Sequence, residues 1–195
     1  MRMSLRFPIA VVLSIICLAV PVWADYQAGK DAYYRGDYAT AFRELSPLAA
    51  NGDARSEYFL GLMYAKGEGV PLDFKEAVRL YRLAAEQGEA KAQFNLGVMN
   101  AGGQGVPQDF KEAMQWYYLA AMQGDTNAYH NLGVMYATDE GALKDYVFAY
   151  VWFALAAAQG EKDAIDLRDR LAKKMTPAQM EVAQTLARGW KPKDK

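Results

Sequence analysis

A period of 36 residues constrains this chain more than any other feature. Gly52, Gly88, Gly124 and Gly160 are spaced by 36, as are Gly61, Gly97 and Gly133, and Leu60, Leu96 and Leu132. Asp37, Asp73, Asp109 and Asp145 keep the same step, each followed by an aromatic: Tyr38, Phe74, Phe110 and Tyr146. Ala41, Ala77, Ala113 and Ala149 follow in phase. Self-similarity at this spacing is the mark of a repeat architecture, and it outranks any local reading of secondary structure. A unit this short cannot bury a hydrophobic face alone, so the chain must stack its units, each touching its neighbours.

Each unit reads as two helices. In the unit starting at residue 54, Tyr58, Leu60, Gly61 and Tyr64 mark a first helix. Lys66-Gly67-Glu68-Gly69-Val70-Pro71 interrupts it, two glycines and a proline being strong loop punctuation. Asp73 then supplies an N-cap at the positive end of the next helix dipole. Phe74, Ala77, Val78, Tyr81, Ala84 and Ala85 form one apolar stripe at helical period, and Gly88 ends it as a left-handed cap. Gly61 and the alanine pair allow helix backbones to approach closely, with Tyr64 and Tyr81 filling wider gaps. The ends depart from the pattern. Gly29 to Ala41 is twelve residues, against sixteen for Gly61 to Ala77, so residues 25–53 form a shorter first unit. After residue 161, charged residues replace the expected aromatic, leucine and glycine. A final helix starts at Thr176-Pro177-Ala178-Gln179 with a capping box, and Met180, Ala183, Leu186, Ala187 and Trp190 give it a packing face. Lys191–Lys195 reads as a loose tail.

The segments Leu-Gly-x-x-Tyr, Gly-x-Gly-Val-Pro-x-Asp-Phe and Ala-Ala-x-Gln-Gly together resemble the Sel1-like repeat, a relative of the tetratricopeptide repeat. Residues 54–89 and 90–125 carry the motifs well. Residues 126–161 carry them with a worn loop, Thr138-Asp139-Glu140-Gly141-Ala142-Leu143, lacking the proline and the first glycine. Residues 25–53 resemble a short tetratricopeptide-like unit. The resemblance implies an all-α solenoid, a superhelix of paired antiparallel helices. With residues 162–190 as capping helices, the chain should hold about ten helices.

The first 24 residues read as a targeting segment. Arg2 and Arg6 precede eighteen uncharged residues, whose strongly apolar middle runs from Ile9 to Val20, and Val22-Trp23-Ala24 offers small residues at −3 and −1 of a cleavage site. The apolar middle is short of the ~20 residues that span a bilayer. The expectation is therefore export through a cleaved signal peptide to the periplasm or beyond, with no stable membrane insertion afterwards. Cys17, the only cysteine, follows Ile15-Ile16 where a lipidation box wants a small residue, and it leaves with the segment, so the exported chain has no disulfide.

Composition narrows the chemistry. Lys plus Arg number 22 and Asp plus Glu 23, which lacks the basic footprint of a nucleic-acid binder. One histidine, His130, is the only base of the usual kind for a triad, and Ser46 and Ser56 lie in other units. His130 holds the slot of Tyr58 and Phe94, which reads as an aromatic-like filler. One histidine and no retained cysteine speak against a zinc site. No strand precedes Gly67-x-Gly69 or Gly103-x-Gly105 and no Gly-Lys-Ser/Thr follows, so they are turns and not phosphate cradles. No cofactor is expected. Glu57 and Glu86, or Asp139 and Glu140, read as solvated charge. Tyr118 and Trp152 sit beside core aromatics and should pack on the next unit.

The remaining candidate is the groove lined by first helices. Asn95 and Asn131 are 36 apart, and an asparagine amide both donates and accepts. Packed helices lie roughly 8–10 Å apart, a spacing that suits an extended peptide held by two such amides. In related tetratricopeptide domains, the asparagine just before Leu-Gly does this work; Phe59 replaces it in the second unit. Arg55, Lys91 and Asn127 recur one turn earlier and suit a peptide carboxylate, with His130 on the groove wall. The resemblance implies a non-enzymatic scaffold or regulator that binds a partner protein or extended peptide in the bacterial envelope, without nucleic acid or metal. Its rival is a penicillin-binding or weak β-lactamase-type hydrolase, described for relatives with a cysteine pair in each repeat; this chain lacks those cysteines and any Ser-x-x-Lys. Hydrolysis of a chromogenic β-lactam separates the two. Export itself predicts that N-terminal sequencing of periplasmic protein reads Asp25 first, and Met1 retained in a membrane fraction overturns it.

Overall fold

The computed structural model describes residues 25–138 and 144–192; the targeting segment, the end of the tail and most of the worn loop lie outside the described residues. Every regular element among them is an α-helix. In chain order these are α1 (Tyr26–Tyr34), α2 (Tyr38–Ala50), α3 (Ala54–Lys66), α4 (Phe74–Glu86), α5 (Ala90–Gly102), α6 (Phe110–Met122), α7 (Thr126–Ala137), α8 (Tyr146–Ala158), α9 (Lys162–Ala172) and α10 (Pro177–Gly189). Each helix packs on the next as far as α9, and α10 turns back onto α8. The α-solenoid that the period implies is thus the fold.

Caps place the helix boundaries. Nine of the ten helices start on a carboxylate that accepts from its own first turn; Asp73, for example, takes the N–H groups of Lys75 and Glu76 at 2.9 and 3.1 Å. The tenth has the expected capping box between Thr176 and Gln179. The second helices stop in a paired hydrogen-bond turn. Gly88 N–H reaches Ala85 O and Glu89 N–H reaches Ala84 O, both at 3.0 Å, with Gly88 at φ +93°. The next residue, Glu89, caps α5. One dipeptide therefore ends a helix and begins the following one.

Two contacts hold the units together. The first is within a unit. A Cβ on Gly61 would lie 2.7 Å from the ring of Tyr81, one on Gly97 2.7 Å from Tyr117, and one on Gly133 2.6 Å from Phe153. The glycine therefore receives an aromatic ring, where the sequence reading had it bring backbones together with the tyrosine in a separate gap. In the first unit, Gly29 meets Leu45 in the same way, at 2.7 Å, across a shorter loop. The second contact joins units. Gln123 donates to Gly88 O and to Gln93 Oε1, both at 2.9 Å, and Gln159 donates to Gly124 O at 3.4 Å. Gln123 and Gln159 of the Ala-Ala-x-Gln-Gly motif thus each tie their unit to the one before, through Gly88 O and Gly124 O, while the bonds of Gln123 to Gln93 and of Gln87 to Glu57 stay within a unit. The loops interlock as well: a Cβ on Gly105, at φ +74°, would come within 2.3 Å of Phe74 O, so only glycine fits there.

The C-terminal helices close the array differently from expectation in one respect. Ala183 is buried, and Met180, Ala187 and Trp190 are half-buried, but Leu186 is 43% exposed and not part of the packing face. α10 packs on α8, and Leu186 falls outside that contact. Tyr118 does pack on the next unit: its ring meets Trp152 edge-on at 6.1 Å while staying 45% exposed, and Trp152 itself is buried.

Gly97→Leu should cost about 1–3 kcal/mol or more, since Tyr117 and the Ala113 carbonyl leave no room. Thermal unfolding should then move down by about 3 °C for each kcal/mol. Val98→Leu, one residue on and 36% exposed, should melt like the wild type.

Candidate functional site

The first helices α3, α5 and α7 carry the residues expected in the groove. Asn95 and Asn131 sit half-buried at equivalent places on α5 and α7. Each amide lies beside a phenol of the preceding unit's second helix and acts on its ionisation, Asn95 on Tyr81 and Asn131 on Tyr117. Burial pushes both phenols up, Tyr117 to about 12, and the asparagine contact works against that rise. The tyrosine laid on one unit's glycine therefore also reaches the first helix of the next. The pairing is selective. Where the ring slot holds Leu45, the asparagine slot holds Phe59; where it holds Phe153, the asparagine slot holds Leu167. Asparagine appears only opposite a hydroxyl. Phe59 is buried among the rings of Tyr26, Tyr33, Tyr34 and Tyr58, at 5.2–6.1 Å, which closes that end of the face.

Arg55, Lys91 and Asn127 are the second residues of α3, α5 and α7, along one edge of this face. Lys91 and Asn127 are exposed. Arg55 bonds Asp53 at 3.0 Å and stacks over the Tyr26 ring at 4.1 Å. Burial works against ionisation of Asp53, but two bonds from Ser56 and the Arg55 guanidinium outweigh it and hold the carboxyl low. His130 meets Phe153 edge-on at 5.8 Å, in the place where Phe94 meets Tyr117 at a tilt and 5.7 Å, and its Nδ1 lies 3.1 Å from Glu161 Oε2. It fills an aromatic slot while its nitrogen points at the cap of α9.

Glu57 departs from expectation. The sequence reading puts it on a solvated face; it is 3% exposed. One oxygen accepts from Gln87 Nε2 at 2.8 Å, and burial raises the carboxyl above its ordinary range. Its repeat counterparts are Gln93 and Tyr129, both buried. That uncharged company was the available signal. This slot lies two residues from the asparagine slot, roughly 200° around an α-helix, and so on the opposite side of the first helices.

The residues weighed for catalysis are engaged elsewhere. Ser46 donates to Phe42 O at 2.6 Å, Ser56 to Asp53 at 2.8 Å, and His130 pairs with Glu161. Glu86 is exposed, and Asp139 and Glu140 lie outside the described residues. Among the described residues there is no group of three or more His, Cys, Asp or Glu that could hold a metal ion, and no helix long and apolar enough to cross a membrane.

A family model described as Sel1 repeat matches residues 54–89, 90–125 and 126–161. Among solved structures, a Sel1 repeat protein from Oxalobacter formigenes is similar at 34% identity and a TM-score of 0.68, covering 71% of this chain and 55% of that one. The c5321 protein, described as a protective antigen of uropathogenic Escherichia coli strains with an SLR fold, is similar at 27% identity and a TM-score of 0.58, covering 83% of this chain and 44% of that one. The chain thus spans about half the length of each. No curated protein matches it.

Two outcomes test this geometry. A double-mutant cycle of Tyr117→Phe and Asn131→Ala should show a coupling of about 0.5–1.5 kcal/mol in urea unfolding, whereas independent side chains would add without coupling. Glu57→Gln should raise the melting temperature at neutral pH. A carboxyl whose folded pKa is raised favours the folded state while protonated and loses that advantage as pH rises through the folded value. The gain from Gln should therefore shrink toward pH 4.

Proposed function

The chain belongs to the Sel1 repeat family, and from that premise we propose that it is a non-enzymatic scaffold of the bacterial envelope, holding a protein partner along its first helices. Sel1 repeat proteins are generally protein–protein interaction scaffolds, typically without catalysis. The observation that carries the reading here is the pair of half-exposed asparagine amides, Asn95 and Asn131, in register on α5 and α7. An asparagine amide both donates and accepts, enough to meet the backbone of an extended peptide. Lys91 and Asn127 at one edge, with Arg55, suit a carboxylate of that peptide, and His130 borders the same stretch.

Residues 1–24 support export to the periplasm, or release beyond it, through their charge and apolar pattern. Asp25 caps α1, so cleavage after Ala24 leaves the first helix with its cap. The similar c5321 protein is described as a protective antigen, which fits exposure outside the cytoplasm.

Cross-linking in envelope extracts identifies the partner, and its binding segment then serves as the titrant. Asn131→Ala should weaken that segment by about 1–3 kcal/mol, because a partner amide is left buried and unpaired. Tyr117→Phe, which removes the hydroxyl beside the same amide, should bind at least as well as wild type. Equal helicity by circular dichroism qualifies the comparison. Wild-type affinity in both Asn95→Ala and Asn131→Ala would remove the groove from consideration.

A further inference from the structure

The side opposite the asparagines holds a second site. Between α2 and α4, with α3 as its floor, lies a cavity of about 390 Å³. That is within the roughly 300–1,000 Å³ of pockets that hold ligands. Ser46, Leu60, Tyr64 and Leu80 line it, and the buried carboxylate of Glu57 reaches it from α3. Among the described residues Gln87 is the one side chain that donates to this carboxylate; Arg79, paired with Glu76 on the same cavity wall, offsets part of its charge. A buried charge with a single donor is costly and favours any further donor brought to it.

The molecule shows what enters a cleft of this kind. Seventy-two residues further on, between α6 and α8, the counterparts of Ser46, Glu57 and Leu80 are Tyr118, Tyr129 and Trp152. There the chain's own C-terminal segment inserts Trp190. Its ring lies 4.8 Å from Trp152, 6.1 Å from Tyr118 and 6.5 Å from Tyr129, and its indole N–H donates to the Tyr129 hydroxyl at 3.2 Å. Basic residues flank it, Arg188 before and Lys191 after. At the other cleft the acceptor is an anion, so the same kind of insert gains a charged acceptor and a favourable field for its flanks. The intermediate slot shows how the site could be shut: Gln93 donates to Ala85 O at 3.0 Å and accepts from Gln123, using both ends of its amide within the protein.

We propose that the cleft between α2 and α4 docks a protein segment that inserts a tryptophan flanked by basic residues, its indole N–H donated to Glu57. The protein has two recognition faces, one for extended backbone on the asparagine side and one for an inserted ring on the other.

The test uses a synthetic peptide of residues 181–195, Glu-Val-Ala-Gln-Thr-Leu-Ala-Arg-Gly-Trp-Lys-Pro-Lys-Asp-Lys, titrated into the full exported chain by calorimetry. Saturable binding is expected, with a loss of tenfold or more both in the Glu57→Gln protein and in a peptide with alanine for tryptophan. Glu57→Gln copies the Gln93 arrangement, so its melting temperature should equal or exceed that of wild type, which excludes unfolding as the cause. Tyr129→Phe, at the occupied cleft, should leave the titration unchanged. Absence of binding at millimolar peptide, or binding that Glu57→Gln leaves intact, would overturn the proposal. Binding that responds to Tyr129→Phe and not to Glu57→Gln would assign the peptide to exchange with the chain's own C-terminus, and would overturn it equally.

Discussion

A ring laid on a glycine sets the distance between the two helices of each unit from residue 54 to 161, and the other contacts build on that spacing. With the Cβ gone from Gly61, Gly97 and Gly133, Tyr81, Tyr117 and Phe153 lie where a side chain would otherwise stand. The rings are buried and fixed, and the alanines beside them, Ala77, Ala113 and Ala149, are fully inaccessible. Close packing of this sort tolerates little change of volume. Because the glycine recurs every 36 residues, the same spacing is imposed again in each unit, and a regular superhelix results without any long-range pairing.

The same ring carries information outward. When it ends in a hydroxyl, it meets an asparagine in the next unit; when it does not, that neighbour is apolar. The groove amides are thus part of the joint between units and available at its surface. A partner that bonds them would be bonding the joint itself, which links occupancy of the face to the rigidity of the array.

Much of this was legible in the residues and some was not. The glycine, aspartate and alanine spacings mark the helix pairs as far as α8, since caps and close contacts demand particular residue types at fixed places. Glu57 was misread because a period says which positions are equivalent and not which way they face; two second helices close over that slot, and only its company of Gln93 and Tyr129 reveals it. Leu186 misled for a different reason. A helical stripe predicts one packing face, but α10 packs on α8 with Leu186, part of that stripe, left in water. The link from Tyr81 to Asn95 spans two units and becomes visible when the hydroxyl-free copies are compared.

The tyrosine–asparagine joints also fix an order of assembly. Each sets a hydroxyl of one unit beside an amide of the next, so a matching neighbour keeps the joint. The unit of residues 54–89 presents a hydroxyl forward and a phenylalanine backward, that of 90–125 presents a hydroxyl forward and an asparagine backward, and that of 126–161 presents an asparagine backward and a bare ring forward. The three are a beginning, a middle and an end. Duplicating the middle unit would lengthen the array with every joint intact, whereas exchanging the outer two would set a phenol against an apolar residue and an amide against a bare side chain. The polarity of the solenoid is therefore written into its joints, and duplication of the middle unit is the insertion that keeps every one of them.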